Sequence, residues 1–511
     1  MAQRTEPAGL KLRLAAAQRL KTVLAGEHFT PLGASDLADG RDRALANRLI
    51  TTALRRHGQL DVMLADLLEK GLPARAGSFE AVLRLSLAQL VFLPDLGAHS
   101  ALFLAVEAIK RDAKARHLSG LMNAVLRRAQ ANSARYGLMD DALLLPEHFA
   151  TGWTAAYGAD AVAQFATALI EGAPLDLTLR DNDPELIEAL GAEPLLADSI
   201  RLESRDRAVE ALPGYDEGRW WVQDAASAIP ARLMGLEAGR GVLDLCAAPG
   251  GKTAQLIKAG YKVTALDSDG TRLPRLRQNM ERLGYAPGVV EADAANYDPT
   301  SPFDGILLDA PCSATGTFRR HPEVLWNRSA RDIAGRVTLQ QALLTNAFRC
   351  LAPGGTLIYC VCSLEPAEGE QQVTWALDAL PGGTDRGDRE REPTCGTGKG
   401  AGSSKVEVAQ RAKSGELEGR GTRRQGPLRA RFFGRHLQLA PEVMGKQSAC
   451  GVELVGNELA ARHVVQRGPV LALADGGFLI SAAVVEEHRS IGPDRLVRDE
   501  DLVLVDVVPR L

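Results

Sequence analysis

Asp244-Leu245-Cys246-Ala247-Ala248-Pro249-Gly250-Gly251-Lys252-Thr253 is the stretch on which the reading of this 511-residue chain turns. Val242 to Cys246 is a short apolar run that stops at Ala-Ala-Pro-Gly-Gly, Lys252 to Ala259 has helical character, and Lys262 to Asp267 is a second strand-like run ending in a carboxylate. Strand, loop of small residues, helix, strand and terminal acid make the opening of a Rossmann-like α/β sheet. The small residues let the backbone approach a nucleotide-like cofactor, and the acid suits ribose hydroxyls. Neither common phosphate motif fits, because there is no GxGxxG and Cys246 stands, six residues before Lys252, where GxxxxGK[ST] needs its first glycine. A cofactor without phosphate, S-adenosylmethionine, is therefore preferred to a nucleoside triphosphate. Its cradle is predicted as Cys246, Ala247, Ala248, Pro249, Gly250, Gly251 and Lys252.

Two more runs, Gly288 to Asp293 and Asp304 to Asp309, read as strands that end in acids. Ligands of open parallel sheets bind beyond the carboxyl ends of the strands, so these acids converge on one crevice. Asp267 is assigned to the ribose hydroxyls, Asp293 to the adenine amino group, and Asp309 to the rim shared by the methionine moiety and the target. The competing reading, that such acids cap helices or solvate loops, applies to each singly; three in register weaken it.

Two cysteines follow strand-like runs downstream of this loop, Cys312 in Asp309-Ala310-Pro311-Cys312-Ser313 and Cys362 in Tyr359-Cys360-Val361-Cys362-Ser363. They read as a covalent catalyst beside a cofactor cradle. Carbon 5 of cytosine is too weak a nucleophile to attack a sulfonium methyl group unless another nucleophile first adds to carbon 6, and a thiolate can both add and leave. Removal of the carbon 5 proton then calls for a second group. The Asp-Ala-Pro-Cys-Ser and Cys-Ser motifs, with Arg319-Arg320-His321-Pro322-Glu323, a helix near Ala330 to Cys350 and Glu365-Pro366-Ala367-Glu368-Gly369-Glu370, resemble the RNA 5-methylcytosine methyltransferase family over residues 220–372. That resemblance implies that Cys362 attacks and Cys312 assists release, with Asp309 beside them. DNA cytosine methyltransferases place the attacking thiol in Pro-Cys-Gln, which this chain lacks at Pro311-Cys312-Ser313.

The remaining cysteines have blander readings. Cys350 and Cys246 are expected to pack as small apolar groups. Cys360 stands two residues before Cys362, so a continuous strand would aim both thiols to one side, and only the motif favours Cys362. His321 is read equally as a group that orients substrate or as a surface residue.

Residues 1–145 show helical periodicity, as in Leu45, Leu49, Ile50, Ala53 and Leu54, and carry 20 Lys and Arg against 14 Asp and Glu although the whole chain is −4. The surplus suits phosphate contact, or marks only the solvated faces of helices. Asp42 to Asn47 with Leu54-Arg55-Arg56, and Ala105 to Lys110 with Gly120 to Arg128, resemble the NusB-type RNA-binding domain. A NusB-like front on this core is similar to the bacterial 16S ribosomal RNA methyltransferases of the RsmB, Fmu or Sun group. Membership implies 16S rRNA as partner, naked or in early small-subunit particles, and the cytosine conventionally numbered 967 as target. Two alternatives stay open: a tRNA cytosine methyltransferase, and a NusB-like ribosome-assembly protein with an impaired core.

The expected architecture is thus multidomain: an all-α NusB-like domain over 1–145, a small α/β module over 146–229 whose Pro174 to Arg180 alternates as a strand, a Rossmann-like methyltransferase core over 230–380, and an atypical tail over 381–511. In the module, Trp220 and Trp221 are expected to pack rather than stack on bases. From Gly382 to Arg435 the chain is rich in Gly, Arg and Glu with little apolar periodicity, as in a linker. The resemblance implies a closing Gly-Phe-Phe-like hairpin, and its nearest candidate, Asp475 to Ile480, begins 113 residues (475 − 362) after Cys362. The tail is either an insertion before the last strands or translated from a shifted frame. No run approaches about 20 apolar residues, so no membrane span is expected. Seven cysteines without paired CxxC motifs suit a reducing cytoplasm, and no metal is expected. A monomer is expected.

Overall fold

The computed structural model describes residues 7–204 and 207–380, together with strands within 406–408, 428–431, 479–491 and 495–508. The described chain divides into two compact units, one combining the residues up to Ala173 with Thr315–Ser329, the other taking Pro174–Ala314 and the chain from Ala330 on.

The first unit is helical: α1 Leu10–Leu24, α2 Gly40–Arg55, α3 His57–Leu67, α4 Phe79–Phe92, α5 Ala98–Arg111, α6 Ser119–Ala131, α7 Ser133–Gly137, α8 Glu147–Tyr157 and α9 Ala159–Glu171. Asp39 caps α2 by accepting from the Asp42 amide at 2.9 Å. Helix α4 buries residues on every face, as a central helix must. Two of its buried polar side chains are partnered: Arg84 pairs with Glu80 and Asp61, and Gln89 accepts from Arg13 at 2.7 Å and donates to Ser100 at 2.8 Å.

The unit continues past the expected boundary near 146 and includes Thr315–Ser329, which sequence assigns to the catalytic core. Aromatic burial explains this. Phe318 is fully buried 6.0 Å from Phe165 and 6.5 Å from Trp153, and Trp326 stacks on His57 at 4.5 Å. Buried Glu323 accepts at Oε1 from His28 Nδ1 at 2.7 Å and the Phe29 amide at 3.1 Å, Asn327 donates to the Val23 carbonyl, and Arg319 donates to the Gly172 carbonyl. The chain therefore leaves the second unit two residues after Cys312 and re-enters it at Ala330.

The second unit opens with a four-stranded antiparallel sheet, β1 Leu175–Leu179, β2 Ala192–Pro194, β3 Ser199–Leu202 and β4 Trp220–Val222, in the order β2-β3-β1-β4, with the short helix α10 Pro184–Leu190 between β1 and β2. Both tryptophans of β4 are buried, each donating its indole N–H, Trp220 to the Pro213 carbonyl and Trp221 to Gln223, which is the packing expected of them. A short helix, α11 Ile229–Arg232, leads into the larger sheet. There, β5 Gly241–Leu245, β6 Lys262–Asp267, β7 Gly288–Glu291, β8 Phe303–Asp309 and β9 Leu351–Val361 run parallel in the order β9-β8-β5-β6-β7. Helices α12 Gly251–Lys258, α13 Leu273–Leu283, α14 Ala330–Cys350 and α15 Glu370–Ala379 connect or follow them. Leu243, Ile306, Leu307, Leu357 and Ile358 are fully buried, as strands covered on both faces require.

Beyond β9 the sheet order continues β13-β12-β11-β10, where β10 is Val406–Val408, β11 Leu428–Arg431, β12 Leu479–Ile491 and β13 Arg495–Val508. β13 pairs parallel to β9 and antiparallel to β12. Of the candidate closing segment, Asp475–Phe478 lies outside the described residues, and Leu479 and Ile480 begin β12. Among the described residues no helix is long and apolar enough to cross a membrane.

A β-carbon on Gly58, in α3, would collide with the Leu143 carbonyl oxygen and stand 2.9 Å from the Trp326 indole. Gly58→Ala is expected to destabilise the helical unit by about 1–3 kcal/mol, as overpacking does. Calorimetry reads this as a lowered transition temperature, and an unshifted transition would contradict the packing of Leu143 and Trp326 at this site.

Candidate active site

The strand order reverses between β5 and β8: the chain goes from β5 outward to β6 and β7, then returns to β8 on the other flank of β5. Such a switch point opens a crevice at the carboxyl edge of the sheet. Register aligns that edge residue by residue, with Leu245 opposite Leu266 on one side and Leu308 on the other, Asp267 opposite Glu291, and Asp309 opposite Cys360. The Ala310 amide donates to the Cys360 carbonyl at 2.9 Å, so the two cysteine loops leave adjacent strands together.

At the end of β5 the loop turns through a left-handed Cys246, φ 60°, and Gly250, φ 103°. A side chain at Gly250 would meet Met280 at 3.0 Å and Leu276 at 3.3 Å as well as a strained backbone, so only glycine serves there. Asp267 stitches this loop to β6, one carboxylate oxygen accepting from the Ala248 amide and the other from the Asp269 amide, both at 3.0 Å. Asn279 donates to the Pro249 carbonyl at 2.9 Å. Helix α12 then carries Lys252, whose ammonium meets Asp309 at 2.8 Å, and Thr253, whose hydroxyl donates to Asp244 at 2.6 Å. Asp293 is exposed just beyond β7 and accepts from the Ala295 amide and the Asn296 side chain.

The electrostatics follow from burial. Desolvation pushes the fully buried Asp244 carboxyl up to about 7 against the pull of Thr253, and its Oδ1 has no hydrogen-bond partner among the described residues. Burial pulls the Lys252 ammonium down, but the Asp309 carboxylate, together with Cys360 and Cys362, outweighs this and holds it above its ordinary value. The Cys246 thiol is pushed up to about 12 by burial, then by Asp309 and Asp267, which fits packing rather than nucleophilic chemistry.

The two motif cysteines come together, with Cys312 Sγ and Cys362 Sγ 3.4 Å apart, Cys362 exposed and Cys312 half-buried. β9 ends at Val361, so Cys362 belongs to the loop beyond. Cys360, on β9, is buried and lies 3.6 Å from Asp309 Oδ1. The Cys312 thiol is raised well above its ordinary value, first by its hydrogen bond to Cys362, then by burial and by the charges of Cys362 and Glu368. Burial first and Asp309 second raise Cys360 likewise. Cys350 is buried against the Tyr297 carbonyl.

His321 belongs to the helical unit, where its ring meets His28 at 5.1 Å. His28, His321 and Glu323 bring their ligand atoms within 4.8 Å of one another, a polar cluster already bonded through Glu323. Sequence reasoning missed the Lys252–Asp309 pair and the buried Glu368, which receives hydrogen bonds from Ser313 and Ser363. The repeated Cys-Ser dipeptide at 312–313 and 362–363 was the available signal for the second.

A Rossmann-like parallel sheet, a glycine loop at its switch point and an orphaned buried carboxylate oxygen able to receive a cationic group define a methyltransferase that uses S-adenosylmethionine, a sulfonium and ammonium cation. Comparisons with known proteins give the particular family. Residues 231–388 match the model of 16S rRNA methyltransferase RsmB/F, and residues 11–131 that of the NusB family. The chain is 38% identical to Ribosomal RNA small subunit methyltransferase B of Xanthomonas campestris over 73% of its own length and 89% of that protein. With the same-named protein of Pseudomonas putida it shares 36% identity over 72% and 89%. The chain belongs to this family. The solved structure of PH0851 shares the fold, with TM-score 0.56 at 21% identity over 74% of this chain and 91% of that one.

Asp244 supplies a test. The folded chain keeps its proton until about pH 7 whereas the unfolded chain loses it near pH 4, so the associated stability is complete below pH 4 and is lost as pH rises to 7. Asp244→Asn removes that loss, so its stability relative to the unsubstituted chain is expected to rise on the order of a few kcal/mol between about pH 4 and 7 and then level. Denaturant titrations of the two proteins without cofactor measure it, and a pH-independent difference would contradict the raised carboxyl.

Proposed function

We propose that this chain transfers a methyl group from S-adenosylmethionine to carbon 5 of a cytosine in 16S ribosomal RNA, through a covalent bond between Cys362 and carbon 6. The observation that carries the reading is the pair of sulfurs 3.4 Å apart on the strand edge that also bears the cofactor loop. The curated relatives named for small-subunit ribosomal RNA support the substrate.

The loop from Cys246 through Ala247, Ala248, Pro249, Gly250 and Gly251 to Lys252 would hold the cofactor, with Asp267 toward the ribose and Asp293 toward the adenine. When bound, S-adenosylmethionine supplies an electrophilic methyl group on a sulfonium. Asp309, neutralised by Lys252, forms the rim against the base. The Cys362 thiolate adds to carbon 6, and the ring electrons move to carbon 5, which takes the methyl group. To finish, a base must take the carbon 5 proton while the carbon–sulfur bond breaks and returns the electron pair to Cys362.

Cys312 is suited to that last step by its dependence on Cys362. The leading influence that keeps its proton is the hydrogen bond to Cys362, with the charge of Cys362 adding to it. Once Cys362 is a neutral thioether, both influences vanish and only burial and Glu368 still hold the Cys312 proton, so Cys312 ionises to solvent more readily than before, and its thiolate accepts the proton from carbon 5. Extruding the cytosine from its stack costs a few kcal/mol, about what contacts of a NusB-like domain over residues 1–145 to RNA phosphates can offset. In this reading residues 146–229 assist RNA binding and 230–380 carry catalysis.

Cys362→Ala is expected to abolish transfer to 16S RNA, Cys360→Ala to retain it, and Cys312→Ala to accumulate enzyme bound covalently to RNA on a denaturing gel. Transfer to tRNA under the same conditions is expected to stay at background. Loss of activity in Cys360→Ala with retention in Cys362→Ala would overturn the assignment, and absence of any adduct from Cys312→Ala would sink its role in release.

A further inference from the structure

Glu368 lies between β9 and α15 and is completely buried. Oε1 accepts from the Ser313 amide at 2.8 Å and Gln340 Nε2 at 3.0 Å; Oε2 accepts from the Ser363 hydroxyl at 2.6 Å and from the Ser313 hydroxyl. Four donors fill the accepting capacity of a carboxylate, which is what makes its burial tolerable. The two serine oxygens stand 2.9 Å apart, and each hydroxyl has a single proton. A carboxylate can receive both protons at once, so it bridges the two hydroxyls.

Each serine directly follows a reacting cysteine: Ser313 follows Cys312, and Ser363 follows Cys362. The loops belong to different strands and are separated by 50 residues of chain. Glu368 is itself held from outside both loops. Its carbonyl accepts from the Tyr359 hydroxyl at 2.7 Å, and Gln340 on α14 also donates to the Pro311 carbonyl at 3.0 Å and accepts from Gln372 at 3.2 Å. These bonds converge where a small shift would separate two sulfurs.

We propose that Glu368 is a positioning residue that, by receiving Ser313 and Ser363 on one carboxylate, sets the distance between Cys312 and Cys362. The proposal rests on the reading of these cysteines as the reacting pair. Its negative charge also contributes to keeping the Cys312 proton in place before Cys362 reacts. An amide at position 368 would offer one accepting oxygen in place of two, and with that oxygen facing the Ser313 amide and Gln340 the two serine hydroxyls lose their shared acceptor, so Glu368→Gln lets the loops drift apart.

Phenylarsine oxide reports that distance without methylation, since its arsenic exchanges oxygen for two neighbouring sulfurs and releases water from the two thiol protons and that oxygen. The full chain, kept reduced with a phosphine, is expected to bind it at a site lost in Cys312→Ala and in Cys362→Ala. Glu368→Gln is expected to weaken binding and lower kcat by about ten- to a hundredfold, the range for an ångström-scale misplacement, with S-adenosylmethionine affinity and the KM for RNA little changed. Ser363→Ala, which removes one donor, is expected to show a smaller loss in both readouts, and decides the matter where Glu368→Gln does not fold. Arsenical affinity and kcat unchanged in either folded variant would overturn the proposal. Full methylation by Cys362→Ala is a separate outcome: it removes the reacting-pair reading on which the proposal rests, while the arsenical titrations still report the distance.

Discussion

Parallel register at one sheet edge is the constraint on which the site depends. Because β5, β6, β8 and β9 are hydrogen-bonded in parallel, their carboxyl ends lie side by side, and every loop that carries chemistry leaves from that line. The reversal of strand order between β5 and β8 opens the line there, so the glycine loop and Asp309 face a common crevice. A slip of one residue would turn the alternating side chains to the opposite face. Burial on both faces of β5, β8 and β9 prevents such a slip, since it would move strand-end acids into the apolar core.

Within that frame, charge is arranged in compensated pairs. Lys252 is kept cationic inside the protein because Asp309 lies 2.8 Å away, and Asp309 in turn stands beside Cys360, whose thiol burial and that carboxylate hold protonated. The exposed Cys362 lies in the loop beyond the end of β9, with another thiol, that of Cys312, beside it. A thiol neighbour suits covalent chemistry that requires a nucleophile first and a proton acceptor later, because the state of each sulfur governs the other. Glu368 lies behind both loops and joins them through their serines, so charge and geometry are supplied by the same carboxylate.

The second organising feature is the passage of Thr315–Ser329 into the helical unit. Sequence places this segment with the core because it lies between core strands. Phe318 and Trp326 follow packing instead, burying against Phe165, Trp153 and His57. The chain that bears Cys312 is thereby covalently continuous with a segment of the NusB-matching unit, after only Ser313 and Ala314.

Much of this was legible in the amino-acid sequence, for local reasons. Apolar runs ending at Asp267 and Asp309, the small residues from Ala247 to Gly251, and the helical period of residues 1–131 determined the Rossmann-like class, the cofactor loop and the helical front, because strand, turn and helix signals act within a few residues. Motif spacing alone singled out Cys312 and Cys362. Only the tertiary structure decided that their sulfurs meet while Cys360 is buried beside Asp309, that Lys252 neutralises Asp309, that Glu368 receives both serines, and that Arg319 to Glu323 belong to the helical unit. Those outcomes depend on where strands end and on which groups share a buried, low-dielectric space, and partners 50 residues apart along the chain leave no periodic trace of either.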